Sequence, residues 1–119
     1  MRVAVLGASN NPEKYSYLAL KSLREKGHEV FPIHPSLKVI DDMTVYSSLQ
    51  DVPSPIDTIS LYVSPEISSK LSQEIISAHP RRILMNPGAE NPALETLAAQ
   101  HHILTQRACT LALLRTSQF

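Results

Sequence analysis

The sequence predicts an α/β protein: one domain over residues 1–119, with a doubly wound parallel sheet of five strands in three layers. Three observations lead there. Short apolar runs alternate with segments of helical spacing along the whole chain. Short crossovers connect them, which makes the sheet parallel with helices on both faces. The first strand, Arg2–Leu6, runs into a tight turn of small residues and then a helix start. No repeat, linker or low-complexity stretch interrupts the pattern.

The elements follow in order. Helix one covers Tyr15–Lys26, with Ser16, Ala19, Leu20 and Leu23 on its apolar face and Gly27 as a left-handed cap. Strand two is His28–Ile33, where Pro32 argues for a strand end or a sheet edge. Between Ser36 and Pro55 no long periodic segment appears. Val39-Ile40 and Thr44–Tyr46 suggest a small hairpin across a solvated Asp41-Asp42 turn, and Ser47–Val52 suggests one helical turn. Strand three is Ile56–Val63. Ser64-Pro65-Glu66 then starts helix two with a capping hydroxyl, a proline at the first helical position and an acid in the first turn. Ile67, Leu71 and Ile75 mark its buried stripe, and Pro80 requires it to stop. Arg82–Met85 is strand four. Asn91-Pro92 opens helix three, with Leu94, Leu97 and Ala98 inward. His102–Thr105 is strand five, and Thr110–Leu114 closes the chain as a short helix or turn. The expected strand order is 3-2-1-4-5.

In such a sheet, ligands bind at the carboxyl ends of the strands beside strand one. Four loops rich in small or turn-forming residues meet there: Gly7–Ser16, His34–Ser36, Tyr62–Pro65 and Asn86–Asn91. A strand, a tight turn and a helix N-terminus make a site for a phosphate group, and Gly7, Ala8 and Ser9 leave room for a close approach. The usual dinucleotide fingerprint needs two further glycines, where this chain has Ser9 and Pro12. It also needs an acid after strand two, where the chain reads Pro32-Ile33-His34-Pro35. Both departures count against NAD(P). Lys14 supplies a cation within the loop, and Ser9 and Ser16 supply hydroxyls. A polyanionic nucleotide without a ribose clamp fits better. No Gly-Lys-Ser/Thr follows the loop, so the P-loop pattern for ATP is absent.

At this point a resemblance emerges. Gly7-Ala8-Ser9, Pro12, Lys14 and Ser16 are followed by Pro32-Ile33-His34-Pro35. Val45-Tyr46, Ser48-Leu49 and Asp51-Val52-Pro53 come next, then Pro87–Asn91 and Cys109-Thr110-Leu111. In this order and spacing they resemble the small stand-alone CoA-binding-domain family. Those are Rossmann-like proteins similar to the CoA-binding domain of the succinyl-CoA synthetase alpha subunit. The resemblance implies that the first loop holds the CoA pyrophosphate, with Lys14 and Ser16 near the phosphates. It implies that His34, Pro35, Val63, Asn86, Pro87 and Gly88 line the rest of the groove. Tyr46 reads either as a cover for the adenine or as a lid packed over the loop. Many members have Asn where this chain has His34. The synthetase's phosphorylated histidine lies in a separate domain that these 119 residues lack.

Composition limits the alternatives. Net charge is zero and Lys and Arg are not clustered beyond Arg81-Arg82, which argues against nucleic acid. No apolar run is long enough for a membrane span, and Met1-Arg2 leads straight into a strand, so a cytoplasmic protein is expected. The five histidines show no metal-ligand spacing with each other or with the single cysteine. Cys109 reads either as a nucleophile or disulfide partner for the CoA thiol, or as a small buried hydrophobe. Glu90 reads either as a base facing the groove or as a first-turn acid of helix three. The sequence therefore predicts a CoA or acyl-CoA binder without catalysis of its own. A small transferase or oxidoreductase using Cys109 or Glu90, and an NAD(P)-binding sensor, are the alternatives. The apolar C-terminal segment, Leu111–Leu114 with Phe119, suits a cover for the sheet, a homodimer contact or a partner enzyme.

Overall fold

The computed structural model describes residues 1–53 and 55–119; Ser54, in the segment before strand three, lies outside them. Its elements are β1 (Arg2–Leu6), α1 (Tyr15–Glu25), β2 (Glu29–Ile33), β3 (Val39–Ile40), β4 (Met43–Thr44), a 3-10 turn (Leu49–Asp51) and β5 (Thr58–Leu61). Then follow α2 (Pro65–Lys70), α3 (Ser72–Ser77), β6 (Arg82–Met85), α4 (Pro92–Gln100), β7 (Leu104–Arg107) and α5 (Thr110–Arg115). Five strands form a parallel sheet, and β3 and β4 make the hairpin across Asp41-Asp42.

Both faces of the sheet are covered. On β1, Val3 and Val5 point to one face, with Leu20 and Leu23 of α1, Leu114 of α5 and the hairpin's Ile40 and Met43. Ala4 and Leu6 point to the other, with Ile75 and Ile76 of α3 and Leu94 and Ala98 of α4. This alternation of two apolar sets is what a strand buried on both sides requires.

The strand order corrects the expectation. It is β2-β1-β5-β6-β7, or 2-1-3-4-5 when only the long strands are counted. Pro32 explains why. Its carbonyl faces the outer edge of β2 and accepts from Tyr46 N–H at 2.9 Å, and Tyr46 O accepts in turn from His34 N–H at 3.0 Å. A full strand on that edge would need an N–H that Pro32 lacks. The edge is closed by one short bridge between Ile33 and Tyr46, and the third long strand pairs with the free side of β1.

Two further corrections are local. The second helix breaks at Leu71 (φ −98°, ψ 8°) into α2 and α3. Ile67, read as a buried position, is 46% exposed, and Ser68 lies buried in its place. The last strand starts at Leu104 rather than His102, because His102 adopts φ +60° and ends α4. Ile103 N–H returns to Ala98 O and His102 N–H to Ala99 O, the paired bonds of a left-handed helix end.

The Asp41-Asp42 turn is exposed, but it is tied down. Tyr17 Oη donates to Asp41 at 2.7 Å, Lys21 Nζ at 3.1 Å, and Arg24 pairs with Asp42 at 2.6 Å. Three residues of α1, one turn apart, thus hold the hairpin over the sheet. These bonds keep both carboxyls below their ordinary range. A depressed carboxylate stabilises the fold above its unfolded pKa and loses that contribution as pH falls through the folded value. The stability difference between the parent and the double variant Asp41→Asn/Asp42→Asn should therefore be present at neutral pH. It should vanish as thermal melts are taken well below the ordinary value of 3.8. A difference unchanged at acid pH would show that the ion pairs do not anchor the hairpin.

Candidate functional site

The carboxyl ends of β1, β2 and β5 open onto a cavity of about 520 Å³. Leu6, Gly7 and Ala8 form one wall, and Ile33, His34 and Pro35 of the β2 loop form another. Val63 follows β5, and Ile67, Lys70, Leu71 and Glu74 come from α2 and α3. Ser47 and Ser48 close it from the segment before the 3-10 turn. A second cavity of about 420 Å³ lies beyond Glu74, against Val52, Ile56 and His79. It adjoins the amino ends of β5 and β6, away from every loop at the carboxyl edge, so the first cavity is the candidate site.

Gly7 determines the shape of the wall. Its φ is +94°, and a Cβ there would lie 2.9 Å from Val63 Cγ1 and 3.0 Å from the Tyr62 carbonyl carbon. Only glycine allows the first loop to lie this close to the start of the third. The N–H groups of Gly7 and Ala8 both point to Ile33 O, at 3.3 and 3.1 Å. They extend the sheet, so they are not the donors for an anion that the loop's composition suggests. The remaining candidates are the first-turn N–H groups of α1. These have no intrahelical acceptor, and the helix has no side-chain cap at Lys14 and no acid in its first turn. The loop between is held by its own side chains: Ser9 Oγ accepts from Asn11 N–H and Asn11 Oδ1 from Glu13 N–H, both at 3.0 Å.

His34 makes a turn. Its Nδ1 accepts from Leu37 N–H at 3.0 Å and Ser36 N–H at 3.1 Å. Those two donors assign the proton to Nε2. An asparagine Oδ1 makes the same bond to the N–H two residues on, so His34 forms the turn that an asparagine at this position would form.

The predicted residues separate into two groups. Gly7, Ala8, His34, Pro35 and Val63 line the cavity together. Lys14 stands at the N-terminus of α1 and Ser9 within the loop, and neither lines the cavity. Ser16 faces inward on the buried side of α1. Asn86 is also buried. It donates to Ser60 Oγ (2.9 Å) and Leu61 O (2.7 Å) and accepts from Thr110 N–H (2.8 Å). Pro87 and Gly88 are exposed on the next loop, where Gly88 N–H is bonded by Glu90 at 2.9 Å. Glu90 therefore folds back on its own loop, and the acid in the first turn of α4 is Glu95. Cys109 is half-buried before α5, with no side-chain cap bond. Tyr46 lies along the edge of β2 with its ring on Phe31, at 5.9 Å between centroids.

Sequence reasoning missed Ile67, Lys70, Leu71 and Glu74 as one lining face. The signal was their spacing, at i, i+3, i+4 and i+7, with two charged residues inside an apolar stripe. Glu74 is fixed there by Leu49 N–H at 2.9 Å. Tyr62 Oη is buried near Ser60 and Thr110, whose hydroxyls bond each other at 2.8 Å and leave it without a partner in bonding geometry. Burial pushes its pKa up to about 12. Among the described residues, no cluster of His, Cys, Asp or Glu can hold a metal ion, and no helix is long and apolar enough to cross a membrane.

The model of the CoA binding domain matches residues 1–115. The chain belongs to the CoA-binding domain family. The uncharacterized protein YneT of Bacillus subtilis is 27% identical over 75 residues, 63% of this chain and 56% of that protein. Subunit alpha of the ADP-forming acetate–CoA ligase II of Pyrococcus furiosus is 32% identical over 65 residues. That match covers 54% of this chain and 14% of the subunit, so the chain matches only part of either relative's length. A crystal structure of an uncharacterized protein superposes with a TM-score of 0.93 at 30% identity, covering 99% of this chain and 97% of the other.

Gly7→Ala should cost at least about 2 kcal/mol in urea unfolding, from the positive φ together with the contact to Tyr62 and Val63. An alanine variant as stable as the parent would refute the close-approach account. His34→Asn should keep the parent's melting temperature within a degree or two, whereas His34→Ala should lower it by about 1 kcal/mol equivalent or more, since the Ser36 and Leu37 N–H groups lose their acceptor. Equal melting of the two variants would dismiss the turn-forming role.

Proposed function

We propose that this protein binds coenzyme A or an acyl-CoA across the carboxyl edge of its sheet, without a catalytic activity of its own. The observation that carries the reading is the cavity at the β1–β5 switch point. It is a largely apolar chamber walled by Gly7 and Ala8, the start of the loop that leads into α1, whose first turn is uncapped. Leu6, Ile33, Val63, Ile67 and Leu71 suit the flat face of an adenine. The first-turn N–H groups of α1, with Lys14 beside them, suit a pyrophosphate. Membership of the CoA-binding domain family supports the same ligand.

The alternatives have less support. A dinucleotide needs an acceptor for its ribose hydroxyls at the end of β2, and that position holds His34, whose Nδ1 is already bonded to two backbone N–H groups. A transferase or oxidoreductase needs titratable groups that converge on the ligand. Glu90 is bonded to Gly88 N–H, and Cys109 is not among the residues lining the cavity.

A thermal-shift panel tests the proposal. CoA should raise the melting temperature more than NAD or NADP at equal concentration; a ligand at a hundred times its Kd contributes about 2.7 kcal/mol. A shift with NAD alone would overturn the reading. Lys14→Ala should weaken CoA binding by on the order of 1 kcal/mol or more, and unchanged affinity would remove Lys14 from the site.

A further inference from the structure

We propose that Lys70 is a specificity-determining residue of this cavity, and that it recognises a phosphomonoester on the ligand's ribose. In a CoA ligand this is the 3′-phosphate, the group that distinguishes CoA from dephospho-CoA. The inference rests on the CoA reading and extends it.

The first observation is placement. Lys70 is the one Lys or Arg among the residues lining the cavity, and it comes from the same helical face as Ile67 and Leu71. Lys70 is exposed, so an anionic group on a bound ligand can reach it. The second observation is that nothing else in the described structure accounts for its charge. Each ion pair among the described residues involves other groups. Glu74, one turn on, is the natural helical partner, but its Oε1 accepts from Leu49 N–H at 2.9 Å. A lysine in a helix's last turn can also serve the terminal carbonyls. Lys70 lies in the last turn of α2, but among the described residues no side-chain hydrogen bond runs from its Nζ to a carbonyl there.

The third observation is the separation of two cations. Lys14 stands at the N-terminus of α1 and does not line the cavity, while Lys70 does. A ligand with two anionic groups on either side of a ribose matches that arrangement, and CoA carries a pyrophosphate and a 3′-phosphate in that relation. Glu74 shares the cavity and disfavours an anion beside it. Its hydrogen bond to Leu49 N–H offsets part of that repulsion, and its carboxylate suits the donor edge of the base.

Calorimetric titration of the full chain decides the matter, with CoA and dephospho-CoA as titrants and parent, Lys70→Gln and Lys70→Arg as proteins. Lys70 is exposed, so both variants should fold, and circular dichroism checks that. The parent should bind CoA at least about tenfold tighter than dephospho-CoA, as expected for one charge-assisted contact. Lys70→Gln should lower CoA to the dephospho-CoA level and leave dephospho-CoA where it was, and Lys70→Arg should restore the preference. A parent that binds both alike, or a Lys70→Gln that weakens both alike, overturns the assignment and leaves CoA binding intact. If neither compound binds the parent, the CoA reading itself fails, and this inference with it.

Discussion

The carboxyl edge of the sheet depends on one steric constraint, the approach of Gly7 to the backbone of Tyr62 and to Val63. The left-handed turn at Gly7 directs the first loop over the start of the third, with no room for a side chain between them. From that point the N–H groups of Gly7 and Ala8 reach Ile33 O and bind the second strand's end into the same wall. Three loops are thus brought together by a contact in which only a hydrogen fits. The cavity is the space left on the side of Leu6, Ile33 and Val63. The wall of the cavity and the geometry of the backbone therefore meet at one residue.

Much of the fold is legible in the sequence because its signals are local. Ser64 and Asn91 both cap their helices as their side chains suggest, bonding Ile67 and Leu94 N–H. The inward face of α1, Ser16, Ala19, Leu20 and Leu23, follows from 3.6-residue spacing. Strand order was the failure, and the sequence contained the warning. Pro32 argues for an edge, but the order 3-2-1-4-5 puts its strand inside the sheet. Taken seriously, the missing N–H requires strand two at an edge, as it is in 2-1-3-4-5. The switch point stays beside β1 in either order, so the expected position of the site does not depend on the correction.

The site is less legible because it depends on a helix break. Leu71 interrupts the second helix, so Ile67 turns out toward the cavity and Ser68 turns in. There Asn91 Nδ2 meets Ser68 Oγ at 2.8 Å and Ser69 Oγ at 3.0 Å, joining the start of α4 to α2. Periodicity assigns a residue to one face of a straight helix, and it cannot anticipate a break that swaps a serine for an isoleucine. Asn86 shows the reverse effect. Its place in a loop at the carboxyl edge suggests a ligand contact, and its burial commits all its polar atoms to Ser60, Leu61 and Thr110. Exposure separates the two kinds of asparagine, and a sequence does not report exposure.

The hydrogen bonds around Asn86 have a consequence for α5. This helix has six residues, too few to hold its own shape, and Leu114 is its one buried apolar side chain. An apolar contact of that size has no preferred register; a helix can slide or rotate along it at little cost. The Asn86–Thr110–Ser60 bonds are directional, each with one angle and one length, and they lie where an unmade bond is expensive. They therefore act as an address rather than as glue. Thr110 can occupy one position on β5 and β6, and the helix that follows inherits its orientation from that single residue.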